Sequence, residues 1–252
     1  PMPRGALTSP LGSRALGGSP YSLHVLQEGF STPLGRDGTF RADGSVTLIR
    51  GGPVTALVDT GGPWGHRRLL QALSHHGLSP EGVTHVVCTH GHSDHVGNLN
   101  LFPRAELVVG FDVSRGDGVY RANALANGVP YVLHPGLLEV VATPGHTASH
   151  VGLVVRETAL GTALVAGDLF EKEDDEEEWR AASEDPATQE KSRRWALEVA
   201  DVIVPGHGPP FRVFREARRR KSRSEEEEEE EEGGEGPKGV LGGGSPQGER
   251  EA

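Results

Sequence analysis

One segment constrains the fold and chemistry of this chain more than any other: residues 89–95, which read T-H-G-H-S-D-H. A predicted buried strand over residues 83–89 leads directly into it. The segment holds four potential metal ligands within six positions: His90, His92, Asp94 and His95. Such a density of ligands directly after a strand predicts a metal site at the end of that strand.

Apolar runs of strand length alternate with helical periodicity over most of the chain. Strands are predicted over 21–27, 45–50, 55–58, 83–89, 106–109, 137–142, 151–156, 162–166 and 202–204. Helices are predicted over 65–76, with Gly77 as the C-cap residue, and over 186–199, with a proline in the first turn. Residues 31–44 are predicted to form a hairpin or loop, and residues 111–135 give no assignment. Strands interleaved with helices in this way indicate one layered α/β domain over residues 21–214.

Both ends of the chain differ in composition from this domain. Residues 1–20 are rich in Pro and Gly, which favours a disordered leader. Residues 215–223 hold six Arg or Lys, and eight consecutive glutamates and a Gly/Pro/Ser segment follow. We predict that residues 215–252 form a disordered basic and then polyglutamate tail, because this composition buries too little apolar surface to fold. The basic run is typical of a nuclear import signal, or equally of a solvated surface segment.

Charge and cysteine content exclude several classes of protein. The net charge is −11, and because the stretch after residue 223 carries −9 and the basic run +5, residues 1–214 carry −7. A mildly acidic domain lacks the electrostatic footprint of a DNA-binding protein, and no DNA partner is expected. The single cysteine, Cys88, excludes a disulfide framework and is interpreted as a buried strand residue in a reducing compartment. No apolar run reaches the ~18–20 residues that span a bilayer, so no membrane partner is expected.

Three further residues are candidates to complete the metal site. His146, Asp168 and His207 each follow an apolar run and a glycine, as in T-P-G-H-T around His146. Each alone would be interpreted as a turn residue, but together with the cluster they predict ligands that converge from several strand ends. His90 and His92 can reach one ion, whereas Asp94 and His95 point elsewhere and indicate a second ion.

The order H-x-H-x-D-H, G-H, G-D and G-H, together with Asp59-Thr60-Gly61, resembles the metallo-β-lactamase superfamily over residues 21–214. The resemblance implies an αββα sandwich with a di-metal site at the edge between two sheets. His90, His92 and His146 would hold the first ion and Asp94, His95 and His207 the second. Asp168 would bridge the two ions, and Asp59 would order the ligand loop. The expected cofactors are two Zn²⁺ ions per chain, with iron or manganese as alternatives.

A di-zinc site of this type predicts hydrolysis by a hydroxide that both ions share. Asp94 is expected to orient the hydroxide or accept its proton, and Asp168 to fix the metal spacing, which makes both catalytic. His150 and His134 are candidates to protonate the leaving group, although a supporting role is the preferred interpretation of each. Trp64 is placed to line the groove or to pack at its rim, and the acidic run 171–178 is predicted to be a surface loop.

A narrower resemblance extends outside the ligands, to a group of small zinc hydrolases within the superfamily. It rests on residues 59–64, 98–103, 183–186 and 206–211, which read D-T-G-G-P-W, N-L-N-L-F-P, S-E-D-P and G-H-G-P-P-F. It implies a homodimer of cytosol and nucleus. It also implies an endoribonuclease that acts on the 3′ ends of histone pre-mRNA, so that RNA is the expected partner.

Other activities remain open at this point. Only 38 residues separate Asp168 from His207, too few for the cap domain of larger RNA-processing relatives. The T-P-G-H-T motif with His150 is similar to glyoxalase II-like thioester hydrolases, whose helical C-terminal domain is replaced here by the tail. A single-iron persulfide dioxygenase would not need the complete second ligand set. A lactamase-like or non-catalytic scaffold is disfavoured because structural zinc sites are closed by four ligands.

Overall fold

The computed structural model describes residues 6–175 and 177–215. Its strands are Ala6–Pro10 (β1), Ala15–Leu16 (β2), Ser22–Gln27 (β3), Phe30–Pro33 (β4), Phe40–Asp43 (β5), Val46–Arg50 (β6), Ala56–Val58 (β7), His85–Cys88 (β8), Glu106–Val109 (β9), Asp112–Arg115 (β10), Val119–Tyr120 (β11), Tyr131–His134 (β12), Leu138–Ala142 (β13), Val151–Thr158 (β14), Gly161–Gly167 (β15), Val202–Pro205 (β16) and Phe211–Arg215 (β17). The α-helices are His66–His75 (α1), Ser93–Val96 (α2), Glu178–Ala181 (α3) and Pro186–Val199 (α4). No helix within these ranges is both long and apolar enough to cross a bilayer.

Two mixed sheets form the body of the domain. The first sheet has the order β1-β17-β16-β15-β14-β13-β12, and the second has the order β11-β10-β9-β8-β7-β6-β3-β2. Pairing is parallel between β15 and β16, between β7 and β8 and between β8 and β9, and antiparallel between the other neighbours. β4 and β5 form a separate hairpin.

Apolar residues fill three layers, one between the sheets and one on each outer face. The central layer joins residues of both sheets, including Val25, Ile49, Val140, Leu153 and Val165. Ala196 and Leu197 of α4 pack on the outer face of the first sheet. Leu69 and Leu73 of α1 pack on the outer face of the second sheet. The predicted αββα sandwich is therefore confirmed.

Local sequence signals account well for the two longest helices. α4 spans the predicted residues 186–199, and the Asp185 side chain caps it by accepting from the N–H groups of Ala187 and Thr188, both at 3.1 Å. α1 ends one residue before His76, and Gly77 follows with φ of 69°, the left-handed conformation expected of a C-cap glycine. The predicted strands also occur, each within a few residues of its predicted limits.

The region before residue 21 differs from the predicted disordered leader. β1 pairs antiparallel with β17, from Ala6 opposite Arg215 to Pro10 opposite Phe211, and so covers the edge of the first sheet. Leu16 in β2 is buried in the central layer. A short edge strand tolerates proline, since one side of its backbone needs no partner, and this explains why composition alone pointed to disorder.

The C-terminal boundary shifts by one residue. Arg215 belongs to β17, and its guanidinium donates to Asp201 Oδ1 at 2.9 Å. The predicted leader residues 1–5 and the predicted tail from residue 216 onwards lie outside the described residues. Residues 111–135, unassigned from sequence, contribute β12 to the first sheet and β10 and β11 to the second.

Candidate metal centre

The strand order brings the candidate ligands to one edge of the two sheets. β7 and β8 run parallel, so Asp59 after β7 and His90 after β8 emerge side by side. In the first sheet, His146 follows β13, Asp168 follows β15 and His207 follows β16. Each candidate ligand is thus fixed by a buried strand that ends a few residues before it.

Two glycines permit the close approach of these loops. A Cβ atom on Gly206 would lie 1.8 Å from Asp168 Oδ1, where the carboxylate now sits. Gly145 has φ of 140°, and a Cβ atom there would lie 2.3 Å from the backbone of Gln189 in α4. Any larger residue at Gly206 would displace Asp168, and any larger residue at Gly145 would collide with α4 beside His146, which explains the glycine before His146 and before His207.

The first group of ligand atoms is histidine-rich. His92 Nδ1 lies 2.9 Å from His90 Nε2 and 3.2 Å from His146 Nε2. Asp168 Oδ2 lies 3.3 Å from His146 Nε2 and 3.6 Å from His90 Nε2. These four side chains offer atoms that all lie within 4.8 Å of one another, close enough to surround one ion.

The second group lies beside the first and shares Asp168 with it. Asp94 Oδ2 lies 3.7 Å from His95 Nε2 and 3.6 Å from His207 Nε2. The Asp168 carboxylate reaches both histidines of this group, with Oδ1 3.2 Å from His95 Nε2 and Oδ2 3.3 Å from His207 Nε2. The structure therefore brings all seven predicted ligand residues together, with Asp168 between the two groups.

Buried atoms without partners show that a cation fits here. His95 Nε2 and Asp168 Oδ1 are both buried and 3.2 Å apart, yet neither makes a hydrogen bond within the described residues. Leaving such polar atoms unsatisfied costs about 1–3 kcal/mol each, and a bound cation removes that cost by accepting their lone pairs. Imidazole nitrogen with carboxylate oxygen is a donor set that suits Zn²⁺, and also iron or manganese.

Asp59 holds the ligand loop from beneath. It is buried, and its Oδ1 accepts the Thr89 backbone N–H at 2.7 Å. Its Oδ2 accepts the His95 Nδ1–H at 2.8 Å, which leaves His95 Nε2 to face the second group. Burial raises the pKa of Asp59, and the charge on His95 acts against that rise.

The histidines of the two groups differ in their protonation without metal. Burial lowers the pKa of His90 well below its ordinary value and also lowers the pKa of His146. Burial alone would also lower the pKa of His95 and His207, but the Asp168 carboxylate outweighs it. The pKa of His95 is held well above its usual range and the pKa of His207 is raised to about 9. Without metal, the Asp168 carboxylate therefore favours the protonated form of both histidines of the second group.

One side of the site is open to solvent. His92 is exposed, and the side chain of Asp94 keeps 17% of its surface accessible, against 4% for Asp168. His90 and His95 are fully buried on the opposite side. Among the ligand residues, His92 and Asp94 are therefore the most accessible to a substrate.

The acidic run 171–178 is not simply the surface loop that was predicted. Asp175 is fully buried and faces Arg193 of α4, with Oδ2 3.5 Å from Nη1. Glu171 is mostly buried and lies against the metal groups, 3.9 Å from His207 Nε2 and 4.0 Å from His146 Nδ1. Burial and the Asp168 charge raise the pKa of Glu171 to about 8. Charge pattern could not distinguish it from its exposed neighbours, and its position three residues after Asp168 was the one available signal.

Neither histidine that was considered as a leaving-group acid is suitably placed. His150 is fully buried, stacks on His90 with ring centroids 5.2 Å apart, and has Nδ1 2.9 Å from Thr143 Oγ1. Burial lowers the pKa of His150 to about 3, so the ring is neutral near neutral pH and is not suited to act as a general acid. His134 lies on β12, where its Nδ1 is 2.7 Å from the Tyr21 hydroxyl.

Trp64 differs from the other two tryptophans in its exposure. Its side chain is 61% exposed, while its Nε1–H donates to the buried Asp43 Oδ2 at 3.1 Å. Trp179 is buried beneath Arg193, and Trp195 is partly buried in the α4 layer. Trp64 is thus an oriented aromatic ring on the surface, whereas Trp179 and Trp195 pack against their neighbours.

Comparison with known proteins agrees with this geometry. The family model of the metallo-beta-lactamase superfamily matches residues 40–207. The chain is 59% identical over 212 residues to metallo-beta-lactamase domain-containing protein 1 of Xenopus laevis, covering 84% of this chain and 90% of that protein. It is 51% identical over 227 residues to the Homo sapiens protein of the same name, covering 79% of this chain and 85% of that protein.

A solved structure shows the same fold at low sequence identity. It is an N-acyl homoserine lactone hydrolase with its product bound at the catalytic metal centre. The TM-score is 0.53 at 17% identity, and the match covers 82% of this chain and 94% of that one. The family match over residues 40–207 and the identity to these relatives lead to one conclusion: the chain belongs to the metallo-beta-lactamase superfamily, whose members are hydrolases.

Proposed function

We propose that the chain is a di-zinc hydrolase. The observation that carries this proposal is the arrangement of seven histidine and aspartate side chains in two adjacent groups that share Asp168. His90, His92 and His146 would hold one ion and Asp94, His95 and His207 the other. A structural zinc site closes around a single ion with four ligands, so two adjacent groups beside an open face favour catalysis.

Bound ions would lower the pKa of a bound water molecule toward ~7 and would supply positive charge to stabilise an oxyanion. The protein's own residues fix where this happens. Asp94 is the more exposed of the two catalytic carboxylates, so it is the one placed to accept a proton from water at the mouth of the site. Asp168, buried between the groups, holds them at a fixed separation, and Asp59 fixes the His95 tautomer.

For the substrate we propose RNA, with endonucleolytic cleavage at the 3′ ends of histone pre-mRNA. The support is the resemblance over residues 59–64, 98–103, 183–186 and 206–211 and the identity to the relatives described above. The exposed ring of Trp64 offers a stacking surface for a base, worth about 1–3 kcal/mol in single-strand binders. The charge of −7 on residues 1–214 predicts weak non-specific RNA binding, so recognition would depend on the site itself.

A second candidate is a thioester hydrolase. The observation that favours it is the T-P-G-H-T motif followed by His150, which stacks directly behind the first group. A thioester carbonyl needs the same two ions and no positively charged groove. It therefore fits the acidic domain better than RNA does.

The test combines metal analysis of the purified protein with single-turnover assays on a structured RNA and on S-lactoylglutathione. We expect two zinc ions per chain and RNA cleavage that His92→Ala and Asp94→Ala abolish. One iron and no zinc would exclude the hydrolase and point to the persulfide dioxygenase reaction. Cleavage of the thioester alone, with the same dependence on His92 and Asp94, would replace RNA as the substrate.

The resemblance also supports two proposals about the whole molecule. We propose a homodimer, which light scattering coupled to size exclusion tests by mass, with a value near 27 kDa counting against it. We propose localisation in cytosol and nucleus. Fractionation of cells that express the chain with and without residues 216–223, a deletion that leaves Arg215 of β17 in place, would show whether the basic run directs nuclear entry.

A further inference from the structure

The histidines of the metal centre differ in how their second ring nitrogen is satisfied. His90, His95, His146 and His207 all turn Nε2 toward the ligand groups, so each must place Nδ1–H elsewhere. Three of them have an acceptor within hydrogen-bond distance. The acceptors are Thr89 Oγ1 at 3.1 Å for His90, Asp59 Oδ2 at 2.8 Å for His95, and the carbonyl oxygens of Phe30 and Asp43 at 3.2 Å for His207.

His146 is the exception. Its Nδ1 is buried and has no hydrogen-bond partner within residues 6–175 and 177–215. The acceptor that faces it is Glu171 Oε1, 4.0 Å away, and this oxygen is also buried and unpartnered. A donor and an acceptor that both lack partners thus face each other, roughly 1 Å farther apart than a hydrogen bond requires.

We infer that Glu171 is the positioning residue of His146: its carboxylate accepts the Nδ1–H and so directs Nε2 toward the first ligand group. This inference rests on the metal centre of the proposed function. Glu171 would do for the first group what Asp59 does for the second. The four histidines that bind through Nε2 would then all have a defined tautomer.

The backbone around Glu171 is held firmly enough for this role. Its carbonyl oxygen accepts the His207 backbone N–H at 2.8 Å, and its own N–H donates to Asp175 Oδ2 at 3.2 Å. The first bond links Glu171 to the loop of a second-group ligand. The second bond links it to a buried carboxylate, so the side chain enters the site from a backbone that is fixed on both sides.

The support continues from Asp175 into α4. Arg193 donates to the carbonyl oxygens of Leu169 and Asp175, at 2.9 and 2.8 Å, and its guanidinium stacks 4.2 Å above the Phe170 ring. Burying Arg193 with Asp175 carries a desolvation penalty that their attraction only partly offsets. Such an arrangement contributes little stability, but it fixes residues 169–175 against the metal centre.

Glu171 could alternatively bind a metal ion itself, since its Oε2 lies 3.9 Å from His207 Nε2. Asp168, Glu171 and His207 also offer atoms within 4.8 Å of one another. The positioning role is favoured because Oε1 faces Nδ1 of His146, the ring nitrogen that points away from the ligand groups. The two roles predict different metal content in a Glu171 variant.

The experiment compares Glu171→Gln and Glu171→Leu with Asp174→Asn, a matched control that removes one negative charge from an exposed position in the same loop. Zinc affinity is measured by competition with a chromophoric chelator and zinc content by elemental analysis. We expect two ions per chain in every variant. Glu171→Leu should weaken zinc binding about 10–100-fold and Glu171→Gln less, because its amide oxygen still accepts the N–H, while Asp174→Asn should match wild type.

A spectroscopic measurement separates positioning from a general structural effect. In the cobalt-substituted protein, the ring N–H proton of His146 gives a paramagnetically shifted, solvent-exchangeable NMR signal. We expect Glu171→Gln to shift this signal and Glu171→Leu to broaden it by exchange with water, with the other histidine signals unchanged. If Glu171→Leu does not fold, the near-isosteric Glu171→Gln variant alone still decides the question.

Three results would overturn the inference, and they are distinguishable. Wild-type zinc affinity and an unchanged His146 signal in Glu171→Gln would show that Glu171 does not position His146. Loss of one ion from Glu171→Gln would identify Glu171 as a ligand instead. A wild-type protein that binds no divalent metal would refute the proposed hydrolase together with this inference.

Discussion

Asp59→Asn replaces one oxygen of the carboxylate beneath the ligand loop, and we expect it to weaken metal binding while the domain stays folded. Both oxygens of Asp59 accept from N–H groups, Oδ1 from the Thr89 backbone and Oδ2 from His95 Nδ1. An asparagine offers one accepting oxygen and one donating amide. The Thr89 backbone always donates, so the amide oxygen must face Thr89 and the NH₂ group must face His95.

His95 can satisfy that NH₂ group only by moving its proton to Nε2. Nε2 is the atom that faces Asp94 and Asp168, so the new tautomer removes the lone pair that an ion needs. If the tautomer does not change, two donors face each other in a buried site, at a cost of about 1–3 kcal/mol. Loss of comparable supporting contacts lowers metal affinity 10–100-fold, which corresponds to about 1.4–2.7 kcal/mol and agrees with that cost.

The two ions should respond differently, which makes the measurement specific. His90 takes its supporting contact from Thr89 Oγ1, so the first ion should bind with nearly unchanged affinity. Stepwise zinc affinities from chelator competition would resolve the two ions, and Asp112→Asn, an exposed change of the same kind, is the control. Equal weakening of both ions, or wild-type affinity for both, would refute the assignment of Asp59 to His95.

Three further outcomes follow from the same geometry. Burial lowers the pKa of His150 to about 3 in the folded protein. As the pH falls below about 6.5, His150 therefore becomes protonated in the unfolded chain but not in the folded one, and the unfolding free energy should drop. The drop should be about 2 kcal/mol larger between pH 7 and pH 5 in metal-free wild type than in metal-free His150→Asn, as measured by urea denaturation; equal slopes would contradict it. Burial alone would lower the pKa of His207, but Asp168 outweighs it and raises the pKa to about 9. Zinc must therefore displace a proton, and chelator competition should show affinity for the second ion rising up to about tenfold per pH unit between 7 and 8; a pH-independent affinity would count against it. Asn98 Nδ2 donates to the carbonyl oxygens of Thr60 and Gly62 at 2.7 and 2.9 Å, so Asn98→Ala should lower the unfolding free energy in urea by about 1–3 kcal/mol, and a change below 0.5 kcal/mol would contradict it.

The sequence predicted best those elements of the fold that have strong local sequence signals. α4 was predicted to the residue because Pro186 in the first turn and the apolar spacing indicate the same start and register. β1 escaped prediction because its partner is distant in sequence, whereas β12 is a short edge strand that pairs with the adjacent strand β13. β1 pairs with β17 some 200 residues later, and nothing in residues 6–10 records that contact.

The candidate site was predictable for a different reason. Ligand residues are conspicuous by type, and each follows a strand that local patterning identifies, so strand ends that share an edge bring the ligands together. Sequence could not show which ligand remains accessible. The exposure of His92 and Asp94 depends on how α2 lies against the second sheet, and that arrangement is set by packing rather than by spacing.

Glu171 shows that the pattern of charged residues alone does not identify a functional residue. In the run 171–178, acidic residues look equivalent, yet Asp174 is exposed, Asp175 is fully buried against Arg193, and Glu171 reaches the metal centre. What separates them is a set of tertiary contacts: the Gly206-His207 segment binds the backbone of residues 170 and 171, and α4 closes over the rest. Burying a charged acid next to Asp168 is unfavourable, which is why the pKa of Glu171 is raised to about 8 without metal, and a bound cation or the His146 N–H would stabilise its charged form.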